Sequence, residues 1–197
     1  MDKTFRILQR REVFHRFIFR IDEVTLEYER FDGLMSGPLT RLVLNRGDSV
    51  AILLHDTQNH SIVLCEQFRA PTTETGSGWL VELPAGILES GAKPEECARR
   101  ETAEETGYTV HALDPIASVY LSPGGSSERV HIFRAEVSQA DQLASGGGLA
   151  SEQEDIRLIS LPSHEAFAMA RQGLILDAKT LIALQWLELR TSRQCSV

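Results

Sequence analysis

The stretch "WLVELPAGILESGAKPEECARRETAEETGY", Trp79 to Tyr108, leaves the chain little choice of local structure. It opens as an apolar strand and breaks at Pro84 and Gly86, because proline cannot donate to a sheet ladder and glycine weakens one. Pro94 then predicts a helix from its first position, with Glu95 and Glu96 complementing the positive N-terminal end and Gly107 closing it. On that helix Glu101 and Glu105 share one face and Glu104 lies beside Glu101. Like charges so spaced cost a few tenths of a kcal/mol per pair. One outcome is a solvated acidic face answered by Arg99 and Arg100. The setting favours another. A Pro/Gly-punctuated loop feeds the helix directly, Ala98 and Ala103 keep its other surface small, and clustered carboxylates on a rigid helix are the hard-oxygen ligands that Mg²⁺ or Mn²⁺ prefers.

The rest of the chain fixes the surroundings. "FIFRIDEVTLEYERF" (17–31) alternates with a shift at Asp22-Glu23, which predicts one bent strand or two short ones. Asp32-Gly33 is a turn signal and "LTRLVLN" the returning strand. So small an antiparallel lobe rarely stays folded alone and is expected to pack on the rest of the chain or on a second subunit. "SVAILLHD" and "SIVLCEQF" read as apolar strands joined by a polar turn, "IASVYL" and "RVHIFRAEV" as strands separated by "SPGGSSE". "SGGGLASEQED" (145–155) is a flexible acidic loop. "IRLISL" is the last strand. Ser163 is expected to cap a helix ending at Gly173, and Leu181, Leu184, Trp186 and Leu187 recur at helical spacing in a final packing helix. Strands, one central helix, more strands and two helices make a mixed α/β sandwich.

Composition narrows the partners. A net charge of −8 over 197 residues argues against a general nucleic-acid or anionic-membrane binder. Such a protein acts on phosphates when metal ions carry the positive charge. Three cysteines (Cys65, Cys97, Cys195) without a pairing pattern read as reduced thiols in a cytoplasmic protein. No apolar run suggests a signal peptide or a membrane span. The six histidines show no metal-ligand spacing and read as structural, and Trp79 and Trp186 read as core.

The segment "GILESGAKPEECARRETAEETGY" (86–108) resembles the Nudix box, with Gly86, Arg100, Glu101, Glu104, Glu105 and Gly107 at the motif's spacings. Ala92 departs from it. In the family that position is a glutamate that braces the loop against the motif arginine, and Glu89, Glu95 and Glu96 are the nearby carboxylates open to the task. "VLCEQFRAPT", "WLVELPAGI", "YLSPGGSSER", "GGLASEQEDIR" and "ALQWL" extend the resemblance, in order and spacing, to bacterial ADP-ribose pyrophosphatases, with the GDP-mannose pyrophosphatases as close siblings. The resemblance implies an α/β fold of the Nudix type: an α/β/α sandwich with a mixed sheet (47–197), preceded by a small N-terminal antiparallel β lobe (1–46) used for dimerisation and nucleotide contacts.

The resemblance also implies the chemistry. Mg²⁺-dependent hydrolysis of ADP-ribose to AMP and ribose 5-phosphate is the leading expectation, GDP-mannose or a broader set of nucleotide sugars the runner-up. A degenerate domain that senses nucleotide sugars without cutting them is the reading from a different class. Metal ligands would be the Ala85 carbonyl, Glu101 and Glu105, with Glu104 a further ligand or brace and Glu154 a metal-contacting carboxylate. Glu152 matches the proposed base, though sequence does not separate it from Glu154, and Arg100 ties helix to loop. Gly146, Gly147 and Gly148 suit a hinge that closes the loop over substrate. Arg69 and Glu128 match positions that contact phosphate or the terminal ribose, and Arg41 and Arg46 positions near the nucleotide; an arginine fork suits a diphosphate. A homodimer with exchanged N-terminal lobes is expected.

Overall fold

The computed structural model describes residues 3–194, apart from the side chains of Glu152, Arg193 and Gln194; Cys195 lies outside the described residues. The chain divides into two compact units, one running to Asp48 and taking in Tyr120–Arg129, the other made of Ser49–Val119 and the residues from Val130 onward.

The first unit is a three-stranded antiparallel sheet, β1 (Phe5–Arg16), β2 (Phe19–Tyr28) and β3 (Leu39–Asn45), in that order. Its first strand is a correction, since the sequence reading found no strand before Phe17. β1 is exposed along its whole length, so it carries none of the apolar burial that makes a strand legible. The irregularity expected at Asp22-Glu23 belongs instead to β1, whose register slips between Ile7 and Gln9 and between Glu12 and Phe14. β2 itself pairs without interruption to β3 from Arg20 to Leu26. The 120–129 segment joins this unit through the backbone. The Leu44 N–H donates to the Gly125 carbonyl at 2.8 Å and the Ser127 N–H to the Leu44 carbonyl at 3.0 Å. Arg129 clasps Asp48 at 2.6 Å.

The second unit is a seven-stranded mixed sheet. β4 (Ser49–Asp56), β5 (Ser61–Phe68), β8 (Asp114–Tyr120), β9 (Arg129–Val137) and β10 (Arg157–Pro162) run in the order β10-β5-β4-β9-β8. β4 lies parallel to β9 and antiparallel to β5. Every residue of β4 is buried, as a strand covered on both faces requires. The run expected as one strand around Pro84 is two: β6 (Trp79–Glu82) pairs with β5, and β7 (Ala85–Ile87) pairs with β4. Pro84, which has no N–H to give, sits at the step.

Helices cover both faces. α2 (Ser163–Arg171) and α3 (Ala178–Gln194) pack Phe167, Ala183, Leu184 and Leu187 against Ala51, Leu53, Ile62 and Ile132. On the other face α1 (Pro94–Thr106) sets Cys97 and Ala98 against Val50, Ile52, Phe133 and Ala135. The layering is the expected α/β/α sandwich. Two local readings change. Ser163 is the first helical residue, not the cap, and its hydroxyl donates to the His60 carbonyl at 2.9 Å. Trp79 is half exposed at the end of β6, edge-on to Phe68, and is not core; Trp186 packs partly buried against the core.

Candidate active site

α1 begins and ends where the sequence says. Pro94 opens it and Gly107 closes it at φ 72°, its N–H donating to the Ala103 carbonyl at 3.0 Å. Its buried residues are Cys97, Ala98, Thr102, Glu105 and Thr106, so of the clustered Glu101, Glu104 and Glu105 it is Glu105 that faces inward. Glu105 is only 3% exposed. Its Oε2 accepts the Ala85 N–H at 2.9 Å, which ties the helix to β7. Burial pushes its carboxyl up to about 8, with the charges of Glu154 and Glu101 adding to the effect, while the Ala85 hydrogen bond and Arg69 oppose it.

Glu101 folds over β7. A Cβ on Gly86 would run into its carboxylate, which is the physical reason glycine stands there. Arg100 holds the two outer carboxylates, through Nη2 to Glu101 Oε1 and Nη1 to Glu104 Oε2, each at 2.8 Å. The same Nη2 reaches Glu89 Oε1 at 4.0 Å. Of the three carboxylates near Ala92, Glu89 is therefore the one beside the arginine. Glu96 instead pairs with Lys93 at 3.4 Å.

The acidic loop reaches this helix. The Gly147 N–H donates to the Glu105 carbonyl at 2.8 Å and the Gly148 N–H to the Glu104 carbonyl at 3.3 Å. These bonds satisfy carbonyls that a helix end leaves orphaned. Two of the three glycines expected as a hinge, Gly147 and Gly148, are thus docked on the end of α1. Glu154 follows, its Oε2 accepting the Leu149 N–H at 3.0 Å, and it is one of the two like charges that raise the Glu105 pKa. Glu152 ends a short 3₁₀ turn, Ala150–Glu152; its side chain lies outside the described residues.

Beside the carboxylates runs a buried charge network that sequence reading missed. Glu82, at the end of β6, accepts Arg69 Nε at 2.6 Å and Lys179 Nζ at 2.5 Å. Lys179 also meets Asp177 at 2.9 Å, and Asp177 bonds the Thr180 N–H and hydroxyl. Thr180 in turn accepts the Leu83 N–H at 2.8 Å. The network fixes Arg69 and locks α3 to the strand that leads into the loop. The available signal was Glu82 itself, a lone carboxylate in the otherwise apolar run "WLVEL".

In the second unit the structure therefore brings together Ala85, Glu101, Glu104, Glu105, Arg100, Glu154 and Arg69. Arg46 and Glu128 belong to the first unit and pair there at 3.7 Å. Arg41, also in that unit, is exposed and bonds the Thr40 carbonyl. Among the described residues no three His, Cys, Asp or Glu side chains close into a metal-binding cluster. The donor set nevertheless fits a hard divalent cation: oxygen ligands only, a carboxylate seated over a glycine, and a carboxyl that burial first, and then its like-charged neighbours, hold back from ionising.

Comparison with known proteins identifies the family. The family profile described as "NUDIX domain" matches residues 45–180. The chain is 41% identical over 174 residues to the GDP-mannose pyrophosphatase of Cronobacter sakazakii, covering 87% of this chain and 89% of that one. It is 45% identical over 147 residues to that of Pectobacterium atrosepticum, covering 74% and 75%. A crystal structure of an ADP compounds hydrolase superposes with a TM-score of 0.72 at 17% identity, covering 100% of this chain and 98% of that one, a likeness of fold. Box, sandwich and relatives converge: the chain belongs to the Nudix hydrolase family.

Proposed function

We propose that the protein hydrolyses the diphosphate bond of a nucleoside diphosphate sugar, with GDP-mannose as its leading substrate. The carrying observation is the buried Glu105 carboxyl among Glu101 and Glu154. Like charges are gathered at one helix end, as a cation and a polyanionic substrate together demand. The names of the 41% and 45% identical relatives support GDP-mannose. ADP-ribose, the expectation from the motif resemblance, is the second reading.

Glu101, Glu105, Glu154 and the Ala85 carbonyl would hold Mg²⁺ or Mn²⁺, with Glu104 beside them. When bound, the ion neutralises the diphosphate and lowers the pKa of water. Arg100 keeps Glu101 and Glu104 in place. Glu82 anchors Arg69 through Nε, so its outer nitrogens are the part of the fork that meets a phosphate. Glu152 or Glu154 takes the proton from the attacking water, while Arg41, Arg46 and Glu128 contact the nucleotide and the terminal sugar. A second copy covers the first unit, whose Phe5, Leu8, Phe14, Phe17 and Leu42 are exposed and whose one buried apolar side chain among the described residues is Val24. Sedimentation velocity checks that dimer, and a monomer at every concentration overturns it. The free thiols of Cys65 and Cys97 suit a cytoplasmic enzyme.

Incubation with Mg²⁺ and a panel of nucleotide sugars tests the reading. GMP and mannose 1-phosphate from GDP-mannose support the leading substrate, and AMP and ribose 5-phosphate from ADP-ribose the second. Binding of the panel without turnover identifies a non-cutting sensor and overturns the enzyme reading.

A further inference from the structure

A cavity of about 410 Å³ opens on the same sheet face as α1, beyond the helix's C-terminal end. Its lining mixes the apolar side chains of Val63, Leu158 and Pro162 with the polar ones of Asp56, Asn59, Ser61, Ser160, Gln139 and Gln142. That volume lies in the usual range of small-molecule sites. None of the carboxylates and arginines of the candidate active site lines it.

Three features define what it would hold. The first is Tyr108, which lines the cavity and is 7% exposed. Its hydroxyl makes no hydrogen bond among the described residues and stays accessible from the cavity, so it is open to bond an occupant. The second is charge. No lysine or arginine lines the space. Its one carboxylate, Asp56, is committed to its own turn, with Oδ1 accepting the Gln58 and Asn59 N–H groups and Oδ2 the Asn59 side-chain amide. A phosphate there would meet a negative wall and no cation. The third is the alternation of donors and acceptors. Gln139 Nε2 donates to Gln142 Oε1 at 3.0 Å, and the Ser160 hydroxyl donates to that of Ser61 at 3.4 Å. Amides and hydroxyls that both donate and accept, set among apolar side chains, match a ring with hydroxyls on its rim and C–H groups on its face.

The cavity also sits at both roots of the acidic loop. Gln139 and Gln142 lie just after β9, where the loop departs, and Leu158 and Ser160 lie in β10, where it has returned. Gln142 bridges to Tyr108, the residue after the helix cap. The Leu143 N–H donates to the Gly107 carbonyl at 2.9 Å.

We propose that this cavity binds a neutral polyhydroxylated small molecule of the monosaccharide class and, in doing so, restrains the loop that carries Glu154. The loop part rests on the functional reading above; the binding part does not. Saturation-transfer NMR on the full-length protein with glucose, mannose, galactose and ribose, and glucose 6-phosphate as charged control, tests it without metal. At least one neutral sugar is expected to give a signal and the phosphate none. Ser160→Tyr, at an exposed position of β10, fills the space and is expected to abolish the signal, and Tyr108→Phe to reduce it several-fold. Arg69→Ala, away from the cavity, is expected to leave it intact. No signal from any neutral sugar, or a signal that survives Ser160→Tyr and is lost in Arg69→Ala, overturns the site. Hydrogen exchange of residues 143–156 reads the second part: slower exchange with bound sugar supports it, and unchanged exchange at saturation overturns the coupling. Nucleotide-sugar hydrolysis is measured separately, so failure of either reading is visible on its own.

Discussion

Replacing Glu105 with glutamine should stabilise the metal-free protein while removing its activity. The carboxyl is 3% exposed, and its pKa is pushed from 4.5 to about 8, first by burial and then by Glu154 and Glu101. Between those values the folded state holds a proton that the unfolded chain has released, so stability falls as pH rises through that window. At 1.36 kcal/mol per pH unit, ionisation near pH 8 costs the fold about 4 kcal/mol, and near pH 5 less than about 1 kcal/mol. A neutral amide carries no such cost and can still accept the Ala85 N–H. In EDTA, Glu105→Gln should therefore melt roughly 10 °C above wild type at pH 8 and close to it at pH 5. Taking the difference between the two proteins at each pH removes titrations they share. Saturating Mg²⁺ should raise the wild-type midpoint at pH 8 far more than that of the variant, because only the ionised carboxylate is a strong ligand. Turnover should fall by about 10²- to 10³-fold. A variant no more stable than wild type at pH 8 refutes the burial argument, and near-normal kcat refutes the metal-ligand assignment.

Other substitutions probe the frame around that carboxyl. Gly86→Ala puts a Cβ where the Glu101 carboxylate lies, so kcat should drop at least tenfold while the melting midpoint moves by a few degrees. Glu82→Ala leaves Lys179 buried without its main partner and should cost about 3 kcal/mol in urea unfolding, the low end for a broken buried pair because Arg69 is partly exposed. Leu184→Ala, fully buried between α3 and the sheet, should cost about 2–5 kcal/mol and leave KM unchanged.

What the sequence made legible follows from how each residue signals. Pro94 and Gly107 act through the backbone alone, so both ends of α1 could be placed before any contact was known. The apolar runs of β4 and β5 announce burial on two faces. β1 gives no such signal: every residue of "FRILQRREVFHR" is exposed, and its strand state comes from pairing with β2. The break at Pro84 was visible, but not that the two halves pair with different neighbours, because partner choice is a property of the sheet. Glu101, Glu104 and Glu105 were legible as a cluster, yet their different roles were not. Only the packing of Ala98 and Thr102 against the sheet rotates Glu105 inward and leaves Glu104 to Arg100. The network of Glu82, Lys179 and Asp177 joins positions 97 residues apart, a span over which no local pattern speaks.

The docking of the glycine loop gives the molecule a built-in reporter. The amide protons of Gly147 and Gly148 are held by the carbonyls of Glu105 and Glu104, the two residues whose side chains stand at the candidate centre. Any event that shifts those carboxylates passes through one peptide unit to a pair of glycine amides, a class of resonance set apart in a nitrogen–proton spectrum. Their chemical shifts should move with metal and with substrate, and their exchange rates should count how often the loop lets go. Two backbone signals would then follow occupancy and opening at once, with no label attached to the protein.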